Sequence, residues 1–151
     1  MTDITPFLWF ETEAEEAANF YVSVFPNSRI VNVTHHGADK PKPEGSVMTV
    51  EFELDGKRFV ALNAGPEPKF NHAVSFWVAV KTQAELDAYW DKLTAGGKEV
   101  ACGWLTDRYG LSWQVVPDDI GELTKSPAAM TAMMDMVKLD IGAMRRAAGL
   151  A

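Results

Sequence analysis

The chain has 151 residues, of which 47% are hydrophobic, and its formal net charge is −7. This length and composition predict a single domain over residues 1–151 whose core buries most of its apolar side chains. Nucleic-acid binding is not expected, because affinity for nucleic acid comes largely from Lys and Arg replacing counterions on the phosphates.

Cys102 is the only cysteine in the sequence. Neither an intramolecular disulfide nor a zinc site built on several thiolates can therefore form, and we expect a reducing, cytoplasmic setting. The first residues show no basic region before an apolar stretch, and no segment approaches the ~18 apolar residues of a spanning helix. We therefore expect neither secretion nor membrane insertion.

The first predicted elements are a strand over Ile4–Phe10 and a helix over Glu13–Phe25. Thr12 is the predicted N-cap of this helix, and Glu15 stands at the capping-box position. A β-rich run follows over Arg29–His36.

A polar loop from Gly37 to Gly45 comes next and could act as a lid over a site. The alternation from Val47 to Leu54 predicts a strand with one apolar face, formed by Met48, Val50, Phe52 and Leu54. Asp55-Gly56 predicts a tight hairpin to a return strand over Lys57–Asn63. The first unit therefore has the order βαβββ.

The second predicted unit also starts with a strand followed by a helix. It contains a strand over Ala73–Val80, a helix over Ala84–Ala95, and short strands near Glu99–Leu105 and Leu111–Val116, with Tyr109-Gly110 as the last turn. Ser126-Pro127 then predicts the start of a helix whose apolar residues recur at helical spacing: Met130, Met133, Met134, Val137, Ile141 and Met144. This stripe could cover its own domain or form a subunit contact.

A nine-residue pattern supports the repetition. Thr12-x-Ala14-Glu15-x-x-Ala18-x-Phe20 returns seventy positions later as Thr82-x-Ala84-Glu85-x-x-Ala88-x-Trp90. Each copy follows an apolar run, so each predicts a strand that leads into a helix with an aromatic on its inner face. Two such units could close one cleft between them.

Four segments carry a family resemblance: Ile4-Thr-Pro-Phe-Leu-Trp-Phe, Phe20-Tyr, Val60-Ala-Leu-Asn-Ala-Gly-Pro and, above all, Cys102-Gly-Trp-Leu-Thr-Asp-Arg-Tyr-Gly-Leu-Ser-Trp-Gln-Val-Val-Pro. Through them the chain resembles the PhnB-like proteins of the glyoxalase/vicinal oxygen chelate superfamily. The resemblance implies an α+β fold in which two βαβββ modules form curved mixed sheets around a pocket, usually in a homodimer. The modules would cover about residues 1–65 and 72–117, followed by a C-terminal helical segment over about 118–151.

The resemblance also locates four positions that hold a divalent metal in many superfamily members. They correspond to Thr5 or Pro6, a position near Ala61, Ser75 and Gln114. None of these is His, Asp or Glu, and one amide with one hydroxyl cannot hold such an ion tightly. We therefore expect no metal and no other cofactor, and the reactions of metal-bearing relatives do not carry over.

Proteins of this kind also carry the label 3-demethylubiquinone 3-methyltransferase-like. An S-adenosylmethionine enzyme of the common type would show a Gly-rich turn between a strand and a helix. Here the only adjacent glycines are Gly96-Gly97, which follow a predicted helix. Methyl transfer is therefore not expected.

A ligand-binding face is predicted from strand alternation around Ser75 and Gln114. Ser112 shares that face, and the residues assigned to ligand binding are Phe7, Trp9, Phe59, Asn63, Ser75, Trp77, Trp104 and Gln114. Such an aromatic cup with neutral polar groups suits a planar or apolar small molecule. The alternative is that these aromatics only fill the interior of the fold.

Three residues are candidates for catalysis. Glu51 could be a general base if it lies in a dry pocket, although a solvated strand face is the commoner setting. Cys102 could be a nucleophile with His72 nearby, although a lone cysteine is more often a packing residue. The sequence thus leaves three functions open: a metal-independent binding protein, an enzyme of the same superfamily, and an interaction module that uses the Met-rich terminal helix to bind a partner.

Two dipeptides receive structural interpretations. His35 and His36 point to opposite sides of a strand, so they cannot readily bind one ion, and a solvated strand end is predicted. Asp107-Arg108 has the composition of a tight turn with a locally bonded Asp and a surface Arg. A ligand-binding Arg at the mouth of a pocket is the alternative.

Overall fold

The computed structural model describes residues 2–38 and 42–150. These residues form two compact units, of which the first ends at Lys69 and the second begins at Phe70. Residues 39–41 of the predicted Gly37–Gly45 loop lie outside the described residues. At the base of this loop His36 N donates to Ser46 O and Gly45 N to His36 O, and the lid stays a prediction.

The first unit is a four-stranded sheet with one helix. Its elements are β1 (Phe7–Phe10), α1 (Ala14–Val24), β2 (Arg29–His35), β3 (Val47–Leu54) and β4 (Lys57–Asn63). The sheet order is β1-β4-β3-β2, with β1 parallel to β4 and the other pairs antiparallel. The bounds of β3 and β4 are those predicted. β1 is shorter than predicted, and it starts directly after Pro6, which has no amide hydrogen to give to a ladder.

One face of this sheet packs under α1. Val50 and Phe52 of β3 and Ala61 of β4 have no exposed surface, whereas Glu51 and Glu53 remain partly exposed on the other face. The alternation of β3 is therefore read correctly from the sequence, because a sheet buried on one side keeps its apolar residues at every second position.

The second unit repeats this architecture. Its elements are β5 (Ser75–Val80), α2 (Gln83–Thr94), β6 (Lys98–Glu99), β7 (Trp104–Thr106) and β8 (Ser112–Pro117), in the sheet order β5-β8-β7-β6. The predicted strand over Glu99–Leu105 is in fact two strands, because Cys102 and Gly103 both have positive φ, 55° and 86°. A left-handed pair of residues cannot continue a strand.

The turn before β8 is the one predicted. Gly110 has φ 89°, and its N–H donates to the carbonyl oxygen of Asp107 over 3.0 Å. An L-residue with a Cβ would be strained in this conformation. The Tyr109-Gly110 turn is therefore confirmed.

The repeat is confirmed, but its register differs by one residue from the sequence pattern. The buried helix positions Ala17, Tyr21 and Val24 of α1 correspond to Leu86, Trp90 and Leu93 of α2, which lie 69 positions later. In the first unit the inward aromatic is Tyr21, 1% exposed, rather than Phe20. The sequence pattern, which repeats after seventy residues, therefore aligned Phe20 with Trp90, although these two side chains face in different directions on their helices.

The same one-residue offset changes how the two helices begin. Thr82 is the N-cap of α2, and its side chain accepts a hydrogen bond from Glu85 N. The N-cap of α1 is Glu13, which gives no side-chain cap, so the prediction of Thr12 is wrong. Instead Asn63 Oδ1, at the end of β4, accepts from Ala14 N over 2.9 Å, and Asn63 Nδ2 donates to Val47 O over 3.1 Å.

The C-terminal segment contains three short helices rather than one long one. They are α3 (Ile120–Leu123), α4 (Pro127–Met134) and α5 (Ile141–Ala147). Ser126 caps α4 by accepting from Ala129 N, as predicted, but Asp140 caps a new helix by accepting from Ala143 N. The predicted stripe therefore spans a helix break. No helix among the described residues combines the length and hydropathy of a membrane span.

Gln83 attaches this segment to α2. Its Nε2 donates to Leu139 O over 3.0 Å and to Asp87 Oδ1 over 2.9 Å, and its Oε1 accepts from Ile141 N over 2.8 Å. Leu139 is fully buried and lies against Gly103. The segment thus covers part of its own unit, whereas Met130, Met134 and Val137 keep 40%, 61% and 40% exposure.

We expect Asn63→Ala to destabilise the protein by about 1–3 kcal/mol, because the amide serves two backbone groups in a largely buried place. Thr12→Ala should change stability by less than about 0.5 kcal/mol, since Thr12 caps nothing. Thr82→Ala should cost about 1 kcal/mol, as the loss of a true N-cap does. Urea unfolding of the three variants measures these values, and a Thr12→Ala loss as large as that of Asn63→Ala would contradict the cap assignment.

The ion pair between Asp87 and Lys138 predicts a pH dependence. The Gln83 side chain first, and then Lys138, hold the pKa of Asp87 below its ordinary value of 3.8. The Asp87 carboxylate in turn raises the pKa of Lys138 above 10.5. The stabilisation that Asp87 contributes is therefore present above pH 3.8 and is lost as the pH falls through the pKa of Asp87 in the folded state. The stabilisation that Lys138 contributes is lost at the other end, as the pH rises through the pKa of Lys138 in the folded state.

Asp87→Asn should make the free energy of unfolding less dependent on pH at both acidic and alkaline pH. The substitution removes the group that titrates in acid, and it removes the partner of Lys138, which titrates in alkali. Thermal unfolding as a function of pH measures this. Asp135→Asn, which removes an exposed carboxylate that contributes to neither pKa shift, is the matched control. Equal profiles for the two variants would contradict the prediction.

Candidate functional site

The face of the second sheet opposite α2 gathers half of the predicted ligand-binding residues. Register pairs Ser75 with Ser112, Trp77 with Gln114, and Trp104 of β7 with the same Gln114. Directly paired side chains point to the same side of a sheet. We call this the second-sheet face, and it consists of Ser75, Trp77, Trp104, Thr106, Ser112 and Gln114.

Two polar pairs are formed on the second-sheet face. Gln114 Nε2 donates to Ser75 Oγ over 2.9 Å, and His72 Nδ1 lies 2.9 Å from Ser112 Oγ. The imidazole meets the Trp104 ring edge-on, with 6.4 Å between ring centroids. Ser75, Trp104 and Gln114 are thus brought together as predicted, and His72 lies beside them rather than beside Cys102.

Exposure separates the residues that can touch a ligand from those that position others. Trp77 is 56% exposed, which is high for so large an apolar side chain, whereas Ser112 has no exposed surface. A fully buried hydroxyl cannot attack a substrate, so Ser112 orients the imidazole instead. The tautomer of His72 decides which of the two atoms donates.

The buried carboxylate of Asp107 fixes the turn between β7 and β8. Asp107 Oδ1 accepts from Tyr109 N and Leu111 N, over 2.8 and 3.1 Å. Its Oδ2 accepts from the indole N–H of Trp113 over 2.8 Å. The local bonding predicted for this Asp is confirmed, and it holds the register that places Trp104 beside Gln114.

In the first unit, Phe7 and Trp9 share a sheet face with Glu51. Phe7 is 60% exposed, and Trp9 Nε1 donates to Gly65 O over 3.0 Å. Glu51 pairs with Arg58 over 3.5 Å. The Arg29 guanidinium, and then Arg58, hold the pKa of Glu53 on the same face below its usual value. This face is therefore ion-paired, which differs from the dry pocket that a general base at Glu51 would need.

Two residues assigned to ligand binding lie on the other side of this sheet. Phe59 stacks on Phe52 with centroids 5.5 Å apart, and Asn63 caps α1 as described above. The β3–β4 register pairs Phe52 with Phe59 on the helix side. Placing Phe59 and Asn63 with Phe7 and Trp9 is therefore wrong. β4 residues on the side of Phe7 are Val60 and Leu62.

Ala61 is also on the helix side, paired with Val50. Its neighbours on the opposite face of the sheet, Val60 and Leu62, likewise carry no donor atom for a metal ion. No group of three or more His, Cys, Asp or Glu side chains that could hold a metal ion occurs among residues 2–38 and 42–150.

The surroundings of Cys102 are those of the packing residue that the sequence favoured, whereas those of His36 differ from the prediction. The Cys102 sulfur lies 3.7 Å from Met134 O and 3.9 Å from Met134 Sδ, so its described contacts are with α4 and not with His72. His36 is only 9% exposed, which corrects the prediction of a solvated strand end. His35 is exposed, as expected.

The residues that sequence reasoning underweighted are those that hold other side chains. Ser112 was recognised as a neighbour on the face but not as the partner of His72, and Arg58 was not recognised as the partner of Glu51. Both pairs depend on register: Ser112 contacts a residue 40 positions away. Only the parallel pairing of β5 with β8 could have revealed it.

Two βαβββ units with four-stranded mixed sheets in the same order define the glyoxalase, or vicinal oxygen chelate, fold. Comparison with solved structures agrees. FosX from Listeria monocytogenes, a genomically encoded fosfomycin resistance protein, matches with a TM-score of 0.55 and 12% identity over 80% of this chain and 94% of FosX. This low identity supports the fold alone.

One relative is similar enough to identify the family. A structure described as a putative 3-demethylubiquinone-9 3-methyltransferase, PhnB protein, from Bacillus cereus is 35% identical, covering 76% of this chain and 99% of that one, with a TM-score of 0.68. Protein PA1353 from Pseudomonas aeruginosa is 21% identical over 78% and 98% of the two chains, with a TM-score of 0.65.

The family model described as 3-demethylubiquinone-9 3-methyltransferase matches residues 2–116. No curated protein matches the chain. The chain belongs to this PhnB-like family, as the resemblance of its Cys102–Pro117 segment implied.

Proposed function

We propose that the chain binds a small organic molecule with a planar, apolar part on the second-sheet face, and that this binding needs no metal ion. The observation that carries the proposal is the arrangement of Trp77 and Trp104 around two preformed polar pairs, Gln114 with Ser75 and His72 with Ser112.

The physical basis is that indole rings supply large contact area at low entropic cost, while few polar groups set orientation. One N–H of the Gln114 amide donates to Ser75, and this hydrogen bond fixes the plane of the amide. The second N–H and the amide oxygen of Gln114 can form hydrogen bonds with a ligand. Preformed side chains of this kind reduce the ordering cost of binding. Trp77 has the exposed surface that a stacked ring would cover.

The family description names a methyltransferase, and methyl transfer is not the function proposed. The turn between β1 and α1 is Glu11-Thr12-Glu13, and that between β5 and α2 is Lys81-Thr82. Neither contains glycine, whereas the common S-adenosylmethionine fold brings its cofactor against a Gly-rich strand-to-helix turn.

An enzyme of the superfamily is the second candidate, and the His72–Ser112 pair favours it. A hydrogen bond at Nδ1 orients an imidazole so that Nε2 is left to exchange a proton with a bound molecule. In this alternative His72 is the acid or base, with Glu51 and Cys102 as the remaining candidates from the sequence. The ion-paired Glu51 and the Met134-bound Cys102 support it less than His72 does.

The two functions differ in which substitutions matter. For a binding protein, Trp77→Ala should weaken affinity for a neutral planar probe, 1-naphthalenemethanol, about tenfold or more, because the ring loses its stacking partner. Glu51→Gln and Cys102→Ala should leave that affinity unchanged within about tenfold. Equilibrium dialysis measures the three values. Affinity that survives Trp77→Ala unchanged would exclude the second-sheet face.

Metal content and assembly are tested together by native mass spectrometry and metal analysis of freshly purified protein. We expect the purified protein to contain less than one metal ion per subunit, because the positions that hold a metal in superfamily members lack carboxylate and imidazole donors here. We also expect a homodimer, which the exposed Met130, Met134 and Val137 support. A stoichiometric metal would overturn the metal-independent function, and a copurified organic adduct would support binding.

A further inference from the structure

The second unit contains a basic cleft of about 430 Å³ beside the second-sheet face. Three segments surround it: the stretch from Phe70 to His72, the turn from Gly96 to Lys98, and Thr106 to Gly110. Each segment brings one nitrogen-bearing basic side chain, namely His72, Lys98 and Arg108. We call this the basic cleft.

Lys98 and Arg108 of the basic cleft are exposed to solvent, whereas Asp107, the acidic residue among its lining side chains, is buried. Asp107 is 2% exposed, and both of its oxygens accept hydrogen bonds from Tyr109 N, Leu111 N and the Trp113 indole. Glu99, next to Lys98, accepts from the indole N–H of the buried Trp90 over 2.9 Å. Adjacent strand residues point to opposite faces, so this carboxylate is directed away from Lys98.

The wall of the basic cleft is held in place by backbone packing. A Cβ at Gly97 would overlap the carbonyl oxygen of Thr106, and one at Gly96 would lie 3.2 Å from the Arg108 Cβ. Arg108 Nε donates to Ala95 O over 3.2 Å, which orients the guanidinium. The glycine turn therefore lets the α2–β6 connection approach β7 closely, and the cation is positioned by it.

The basic cleft adjoins the second-sheet face through two residues. Thr106 lines the cleft and is itself part of that face, and His72 lines the cleft while its ring contacts Trp104 and Ser112. One molecule could thus touch both regions.

We propose that the basic cleft binds the anionic group, a carboxylate or phosphate, of a ligand whose planar ring lies on the second-sheet face. This rests on the proposed function and names its ligand class as an aromatic anion. The whole chain carries a net charge of −7, which repels anions at long range. An anion can therefore bind only where Lys and Arg side chains make the local potential positive. At short range, charge-assisted hydrogen bonds from these side chains supply the attraction.

The test compares three probes that share one ring: 1-naphthoate, 1-naphthyl phosphate and the neutral 1-naphthalenemethanol. Affinities are measured by equilibrium dialysis for the unmodified chain, Lys98→Gln, Arg108→Gln and the control Lys92→Gln. Lys92 is an exposed lysine of α2 that does not line the basic cleft, so the control has the same charge change. Thermal unfolding of each variant verifies that it is folded.

We expect at least one anion to bind about tenfold more tightly than the alcohol, since a hydrogen bond to a charged group is worth roughly that factor. Lys98→Gln should remove most of this preference, and added salt should weaken it. Lys92→Gln should not change it, and binding of the alcohol should stay the same in all variants. A preference for phosphate over carboxylate, or the reverse, identifies the anion.

Two outcomes would overturn the basic cleft as the anion site. They are anions that bind no more tightly than the alcohol, and an equal loss in Lys98→Gln and Lys92→Gln. In both cases the proposed function would still be supported if the alcohol binds and Trp77→Ala weakens that binding. If inorganic phosphate alone binds in a Lys98-dependent way while no naphthyl probe binds, the planar part of the ligand is refuted instead.

Discussion

In each unit the first strand pairs in parallel with the last, and this pairing decides which side chains share a face. β1 runs beside β4 and β5 beside β8, with the helix between them in sequence packed on one side. The residue pairs that meet opposite the helix are then fixed: Phe7 with Val60 in the first unit, Trp77 with Gln114 in the second. A shift of one residue would invert every side chain and place Trp77 under α2.

The two units satisfy the same backbone requirement by different means. The N-terminus of a helix leaves several N–H groups without partners. Thr82 meets this need locally in α2, whereas α1 relies on Asn63, 49 positions from Ala14. Asn63 also binds Val47 O, so one amide joins the start of the helix, the end of β4 and the start of β3. The first unit thereby couples its helix to its sheet through a single buried side chain.

Much of this fold was predictable because it depends on local patterns. Alternation defined β3 and β4 to the residue, and Asp55-Gly56 and Tyr109-Gly110 defined turns, since these signals come from neighbours in sequence. The side on which Phe59 and Asn63 lie could also have been predicted, because the tight Asp55-Gly56 turn pairs Phe52 with Phe59. Phe52 belongs to the apolar face of β3, and alternation along β4 then places Asn63 on the same side as Phe59. The helix break before Asp140 and the long-range cap depend on tertiary contacts that no local pattern contains.

The candidate site was predictable in its members and not in its chemistry. Trp77, Trp104, Ser75 and Gln114 follow from alternation, but whether a polar side chain can act depends on what already occupies it. Glu51 and Cys102 looked reactive by residue type, and their partners, Arg58 and Met134, alter that interpretation.

The two units therefore differ in how their charged side chains are arranged. In the first unit acids and arginines pair with each other across strands, so their fields largely cancel. In the second unit the side chains of Lys98 and Arg108 are exposed beside the aromatic second-sheet face, whereas Asp107 is buried among indole and backbone N–H donors. This arrangement is the basis for proposing a ligand whose ring carries negative charge, because the ring gains contact area while the anion meets the exposed cations first.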